Sequence, residues 1–364
     1  MLNIRNMGSN AFRQYVRGKE IYLFGAGRAL ESCLDIYFNV TKVRNIIDNN
    51  PDLWGRFIKH DQEEIEIIGK EKFISQIKDE KLDNILLLIT STFYASEIIE
   101  DLDMHVEIDG LDCFLQILIR NTKEETQPFK FSKGAQKIPK KIHYVWIGGK
   151  ELPIEYKKNI DSWKKYNPDY EIIQWDESNY DFTKMPYMKA AYESNEWSFA
   201  SNYARLDIIS KYGGIYLDTD VEVIKNLDSL LNDDAFFCMG CTDRVNLGCG
   251  FGAVKQHPII LDMMKQYASS NFLLGNGRLN KKPGHVYFHP VIRNYGFEIC
   301  NKYQNQKGIA LYPMEVMSPL TILNMDDFIS DKTLSIHQES GTWKDEKEKM
   351  GMVRLKKIIA RLHK

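Results

Sequence analysis

The stretch SFASNYARLDIISKYGGIYLDTDVE, from Ser198 to Glu222, constrains this chain more than any other. A helical run with Ser198 available as its N-cap stops at Gly213, the residue after the last turn, and the short apolar strand IYLD follows. A helix returned by glycines onto a strand is the unit of an α/β sheet. The strand ends in two carboxylates, Asp218 and Asp220, which are neighbours on one side if it continues through them. Carboxylates that close repel, and one stays protonated unless a cation sits between them. A hard divalent ion with oxygen ligands, Mg²⁺ or Mn²⁺, removes that conflict. Acid–base work or two solvated turn aspartates remain open at this point. Ligands of open α/β sheets bind beyond the carboxyl ends of the strands, where this pair lies.

On the preceding helix, Ser201, Asn202 and Arg205 share a face by i,i+3 and i,i+4 spacing. An arginine beside an acidic site is either its ion-pair partner or a contact for an oxygen-rich substrate. Upstream, KIHYVWI reads as a strand meeting the Gly148-Gly149 turn, PIEYKKNIDSWKKYN as a helix and PDYEIIQWD as a strand.

Residues 1–120 show a βαβ rhythm of their own. EIYLFGAG, KVRNIIDNN and LDNILLLIT read as parallel strands, with RALESCLDIYF and STFYASEIIEDL as helices. Gly25-Ala26-Gly27, with Asp48 about 20 residues on, matches part of the dinucleotide fingerprint, with Leu30 in place of its third glycine. A structural or partner-docking role for this segment stands beside nucleotide binding. The polar, aperiodic stretch 121–137 is the natural linker.

At 364 residues the chain is long enough for two domains. Its net charge of −2 carries no electrostatic footprint for nucleic acid. The absence of a long apolar run or a signal-like N-terminus leads to the expectation of a cytoplasmic protein. Cys238 and Cys241 form a lone CxxC, and the scattered cysteines read as buried reduced thiols.

IPKKIHYVWIGG, NIDSWKKYNPDYEIIQWDE, FASNYARLDIISKYGGIYLDTDVEVIKNLDSLL and a terminal HQESGTW occur in that order. Together they resemble glycosyltransferase family 32, the DxD sugar transferases of bacterial capsule and lipopolysaccharide synthesis and of fungal mannosyl transfer, related to the catalytic core of clostridial glucosylating toxins. The resemblance implies a GT-A type nucleotide-sugar-binding α/β fold over residues 138–345. Around it lie a small Rossmann-like accessory domain over 1–125, a linker over 126–137 and a basic amphipathic C-terminal helix over 346–364. IIDNNPDLWG also resembles Rossmann-like modules attached to bacterial polysaccharide-synthesis enzymes.

The implied activity is metal-dependent, retaining transfer of a hexose from a nucleotide-sugar, a UDP-sugar, to a saccharide acceptor of bacterial surface polysaccharide. By the same resemblance Trp146 stacks on the donor base, Asp218 contacts the ribose or sugar, and Asp220 ligates Mn²⁺ or Mg²⁺. His337 assists the metal, Arg205 reaches the sugar or its phosphate, and Trp343 contacts the diphosphate. Ser201, Asn202 and Asn246 complete the donor contacts. Asn202 stands where the family usually has Asp, which keeps the size but removes the charge, and Thr342 replaces the usual serine.

Glu222 reads as structural. Two alternatives accompany this reading: a catalytically impaired sugar-nucleotide-binding protein, and a bifunctional protein with a nucleotide-dependent N-terminal domain. In the tail, Leu355, Ile358, Ile359 and Leu362 form one stripe among basic residues. Such a helix either lies on the inner face of a membrane, beside a lipid-linked acceptor, or packs on its own domain.

Overall fold

The computed structural model describes residues 1–364 except 28, 31–32, 35–39, 61–62, 123–127, 241–243, 321–327, 339–349, 351–352 and 355–364. The C-terminal stripe at 355–362, Trp343, Thr342 and Cys241 therefore lie outside the described residues. Contacts divide the chain into two units, residues 1–124 with 341–364, and residues 125–340. No helix among the described residues is long and apolar enough to cross a membrane.

The first unit is built on β1 (Asn3–Ile4), β2 (Glu20–Phe24), β3 (Lys42–Ile47), β4 (Phe57–His60), β5 (Glu63–Ile68), β6 (Ile85–Ile89) and β7 (Asp112–Leu115). Their order is β1-β7-β6-β2-β3-β5-β4, parallel throughout except for the β4–β5 hairpin. The sheet therefore reverses direction of growth at β2, a doubly wound arrangement. β2 and β6 are buried along their length, as the continuous apolar runs require. The β4–β5 hairpin escapes a reading by hydrophobic run because Lys59, His60, Glu63, Glu64 and Glu66 interrupt its apolar residues, with β4 at the edge of the sheet.

The glycine turn closes on itself in an unexpected way. Asp48 Oδ2 accepts the Ala26 N–H at 2.8 Å while Oδ1 accepts the Asn50 N–H at 2.8 Å. The acidic residue of the partial fingerprint thus braces the glycine loop with one oxygen and the chain after its own strand with the other.

The second unit carries β8 (Lys141–Val145), β9 (Glu171–Trp175), β10 (Gly214–Tyr216), β11 (Val221–Val223), β12 (Ala235–Gly240), β13 (Arg244–Val245), β14 (Phe251–Ala253), β15 (Gln304–Gln306), β16 (Ile309–Tyr312) and β17 (Ser335–His337). The main sheet runs β15-β16-β12-β14-β10-β8-β9, with β13 paired to β12, and β11 pairs separately with β17. β8, β9 and β10 are parallel, and β14 meets both β10 and β12 antiparallel. This mixed α/β sheet, with the aspartates just beyond β10, has the expected fold class.

Alternation along β10 divides the core. Ile215 and Leu217 join the apolar cluster that includes Trp163, and Tyr216 joins the one that includes Ala204 and Ile208. Two helices, Ile154–Tyr166 and Trp197–Tyr212, therefore cover opposite faces of the strand that leads to the aspartates. Glu196 rather than Ser198 occupies the N-cap of the second helix, and it makes no side-chain capping bond. The glycine turn is steric: Gly213 and Gly214 have φ of +64° and +106°, and a Cβ on Gly214 would come within 2.8 Å of the Lys141 carbonyl oxygen. The end of the expected linker is not free chain. Phe129 is buried in the second unit, and the N–H groups of Lys137 and Ile138 donate to the Leu231 carbonyl.

His143 on β8 is fully buried beneath this turn. Trp175 Nε1–H donates to its Nδ1 at 3.1 Å, which leaves the ring hydrogen on Nε2, 2.9 Å from the Gly213 carbonyl oxygen. Burial pushes its pKa down to about 4, and burial likewise takes His289 down to about 3. Both rings stay neutral when folded but take up a proton near pH 6.5 when unfolded. Their stabilisation is complete above that value and is lost as pH falls from 6.5 through the folded pKa values. For His143 alone the loss by pH 4 is of order 3 kcal/mol. The melting temperature is expected to fall by several degrees between pH 7 and pH 4.5, and His143→Gln should flatten that slope.

Candidate functional site

Three ligand-bearing groups converge past the end of β10. One ligand atom from each of Asp218, Asp220 and His337 lies within 4.8 Å of the others. The strand does not continue through the aspartates, contrary to the simplest expectation. It ends at Tyr216, and residues 218–221 form a turn in which the Val221 N–H donates to the Asp218 carbonyl at 3.1 Å. The carboxylates meet because the turn folds them together.

Three side chains of the Ile154–Tyr166 helix set this turn. Asn159 Nδ2–H donates to the Thr219 carbonyl at 2.8 Å and Trp163 Nε1–H to the Val221 carbonyl at 2.7 Å. Ser162 Oγ accepts the Val223 N–H at 2.9 Å. Positions 159 and 163 are one turn apart, and they serve the alternate carbonyls of Thr219 and Val221. The motif-bearing text NIDSWKKYN contains all three, yet their task is not legible from type or spacing.

Asp218 is held by the other helix. Arg205 Nη2 lies 3.1 Å from its Oδ1, and the Tyr216 hydroxyl donates to the same oxygen at 3.1 Å. The guanidinium also sits over the Tyr216 ring, 4.7 Å from its centroid. Burial works against the charge on Arg205, but Asp218 outweighs it and holds the guanidinium pKa above its ordinary value. Burial pushes the Tyr216 phenol well above its usual range. Arg205 is thus a buried, permanent cation directed at Asp218.

Ser201 has a different task from the expected donor contact. It is buried, its hydroxyl donates to the Ser198 carbonyl at 2.9 Å, and it accepts from Arg205 Nη2 at 3.0 Å. Ser201 therefore positions Arg205. Asn202 is half-buried, its amide carbon 3.6 Å from where a Cβ on Gly284 would stand, and its side chain makes no hydrogen bond among the described residues.

Asp220 and His337 are joined by the small sheet. Val221 pairs with His337 across β11–β17, and the Gln338 N–H donates to the Asp220 carbonyl at 2.9 Å. His337 Nε2 lies 3.2 Å from Asp220 Oδ1. Asn246 completes the cradle: its Oδ1 accepts the Gly248 N–H at 2.8 Å, which turns its amide nitrogen toward His337 Nδ1 at 3.4 Å. The Gly248 carbonyl in turn accepts the Asp218 N–H at 3.0 Å. Trp146 follows β8, the parallel neighbour of β10, so it stands at the same sheet edge. The ring is half-buried, donates from Nε1 to the Lys150 carbonyl at 2.6 Å and packs edge-on against Tyr156.

The set fits a divalent cation. Two carboxylates and an imidazole offer hard oxygen and borderline nitrogen ligands. A Cβ at Gly248 would lie 2.2 Å from Asp218 Oδ2, so the chain leaves room beside that carboxylate that no other residue would leave. Among the described residues no cysteine joins this cluster: Cys33, Cys113, Cys238, Cys249 and Cys300 are buried thiols, and burial drives the Cys113 thiol well above its usual range.

Residues 153–237 match a family model described as a glycosyltransferase sugar-binding region containing a DXD motif. An inositol phosphoceramide mannosyltransferase of Schizosaccharomyces pombe is 32% identical over 139 residues, 37% of this chain and 38% of that protein. The mannosyl phosphorylinositol ceramide synthase SUR1 of Saccharomyces cerevisiae is 29% identical over 190 residues, 50% of this chain and 45% of its own length. The chain thus spans less than half of the length of these two relatives. A solved structure titled PaToxG Glycosyltransferase is 23% identical and covers 44% of this chain and 70% of its own, with a TM-score of 0.35. The matched stretch, 153–237, includes Asp218-Thr219-Asp220, which has the DXD pattern that the family model's description names.

Proposed function

We propose that the second unit is a divalent-cation-dependent glycosyltransferase that moves a hexose from a nucleotide-sugar to a hydroxyl acceptor. The observation that carries this reading is the meeting of Asp218, Asp220 and His337 within 4.8 Å, with Arg205 locked onto Asp218. Asp220 and His337 would hold Mn²⁺ or Mg²⁺, with Asp218 beside them. When bound, the ion neutralises charge on a departing diphosphate. Arg205 supplies a second fixed positive charge that needs no reorganisation during reaction. Tyr216 and Ser201 keep it aimed, and Trp146 offers a flat face for a base at the adjoining strand end. Trp343, which lies outside the described residues, is proposed as a diphosphate contact on the resemblance alone.

A UDP-sugar donor, retention at the anomeric carbon, a role in bacterial surface polysaccharide and a cytoplasmic location belong to the same proposal and rest on the motif resemblance. The two fungal relatives carry names of mannosyl transfer to inositol phosphoceramide, so GDP-mannose belongs in any donor panel. A thermal-shift and hydrolysis screen of nucleotide-sugars with and without Mn²⁺ tests the reading. One donor is expected to raise the melting temperature and to be hydrolysed only with the cation. No turnover of any donor, with nucleotide binding retained, would leave a sugar-nucleotide-binding protein instead.

Asn202 is the residue through which donor choice is most open to change. Its amide is unengaged beside Gly284 and one helical turn from Arg205. Asn202→Asp adds a charge without changing size, so preference among donor sugars is expected to shift by about tenfold with little effect on melting temperature. Unchanged relative kcat/KM values across the donor panel would remove Asn202 from the sugar pocket.

A further inference from the structure

The Trp197–Tyr212 helix, which carries Asn202 and Arg205, is bordered at its start by a hairpin that the reaction does not use. Phe272 is fully buried and packs on Tyr187 and Phe199, each with ring centroids 5.3 Å away. From this root the chain rises and returns as a tight hairpin. The Asn280 N–H donates to the Phe272 carbonyl at 2.7 Å, the Leu274 N–H to the Arg278 carbonyl at 2.9 Å, and the Gly277 N–H to the Leu274 carbonyl at 2.9 Å. Asn280 Nδ2–H ties the base to the Asn271 carbonyl at 3.0 Å and to the Tyr287 hydroxyl at 3.2 Å.

This ordered hairpin presents Leu273 and Leu274 to solvent, 55% and 40% exposed. Leucines on a floppy tip cost little, but here the backbone is fixed and the side chains are held outward. The charge carried by the hairpin segment itself is of one sign. Residues 269–284 contain Arg278, Lys281 and Lys282 and no acidic residue. All three cations are exposed, and Lys281 pairs with Glu196 at the start of the site helix. Two adjacent exposed leucines on a hairpin segment whose charged side chains are all basic match the boundary of an anionic bilayer, apolar below and negative at the headgroups.

We propose that the hairpin Phe272–Lys282 is a membrane-surface anchor that places Leu273 and Leu274 among the acyl chains of an anionic bilayer. Its base adjoins Gly284, which faces Asn202, so an anchored protein holds the mouth of the site beside the lipid surface. The anchoring itself stands without the transfer reading; only its use, delivery of a lipid-borne acceptor, rests on it.

Sedimentation of the full chain with vesicles of phosphatidylcholine alone and of phosphatidylcholine with phosphatidylglycerol tests this. Binding is expected to the anionic vesicles, to weaken as salt is raised, and to fall about tenfold in Leu273→Ser/Leu274→Ser. Arg278→Gln is expected to reduce binding roughly fivefold, and it keeps the test open should the double variant fold poorly. Donor hydrolysis and melting temperature, measured on the same samples, should match those of the unaltered chain, so a failed anchor and a failed enzyme are told apart. Absence of binding to anionic vesicles overturns the proposal. So does binding that both variants retain in full, which would assign attachment to the basic C-terminal segment. Self-association lost in the double variant, with no vesicle binding, would assign the leucines to a protein contact and equally overturn it.

Discussion

Replacement of Asp220 by alanine is expected to lower cation-dependent turnover of the nucleotide-sugar by about a thousandfold while leaving the fold in place. The loss is large because the Asp220 carboxylate faces the histidine of the site directly, with Oδ1 3.2 Å from its Nε2, and the other carboxylate of the turn is already engaged by Arg205. Asp218 cannot take over. Its Oδ1 already receives both Arg205 and the Tyr216 hydroxyl, so its charge is balanced from the protein side. The fold should persist because the structural duty of residue 220 belongs to its backbone. The Gln338 N–H still finds the residue 220 carbonyl, and β11 still pairs with β17. Two readouts separate site from scaffold: the Mn²⁺-induced rise in melting temperature should vanish, and the melting temperature without metal should change little. Retention of full activity by Asp220→Ala would remove the cation from this site.

What the sequence disclosed and what it hid divide along a physical line. Contiguous patterns were legible: the apolar runs of β2, β3 and β6, the helix that stops at Gly213, and the two aspartates past an apolar strand. Each depends on residues within one or two turns of one another. What stayed hidden depends on partners distant in the chain. The aspartates read as same-side neighbours on a strand, whereas the structure brings them together by a turn that Asn159 and Trp163 hold from another helix. His337 was reached only through the resemblance of HQESGTW, because nothing local ties it to Val221 across the small sheet.

Hydrogen-bond direction was also beyond the sequence. Ser201 and Arg205 share a helical face, which is equally consistent with two ligand contacts and with one residue steering the other. Asp48 shows the same limit in the first unit. Its distance from the glycine turn suits a ribose contact, but its oxygens point to the N–H groups of Ala26 and Asn50. Polar composition misled once, since the stretch 126–137 reads as a linker and yet contains Phe129, which is core.

Gly248 is the clearest case of a residue whose meaning appears only in three dimensions, and it supports the second large expectation. In the sequence it is one glycine of NLGCGFG, with no signal that sets it apart from Gly250. In the structure its N–H is fixed by Asn246 Oδ1 and its carbonyl by the Asp218 N–H, so its backbone is clamped between two site residues. A methyl group there would stand 2.2 Å from Asp218 Oδ2 and 3.1 Å from Asn246 Oδ1, distances no real Cβ tolerates at the first contact. The chain cannot yield by moving the glycine without breaking both hydrogen bonds, so the carboxylate must swing instead. That rotation would pull Asp218 from Arg205 and from the ligand cluster together. Gly248→Ala is therefore expected to lower kcat/KM by about a hundredfold or more, against a stability cost of about 1–3 kcal/mol for the strain. The pairing of effects is the test. Activity and the Mn²⁺-dependent thermal shift should collapse together at temperatures where circular dichroism still reports a folded chain. Gly275→Ala, at an open position where no atom lies within 4 Å of the new methyl, should leave all three unchanged. If Gly248→Ala retained its cation response, Asp218 would be an ion-pair partner of Arg205 with no part in the cation site.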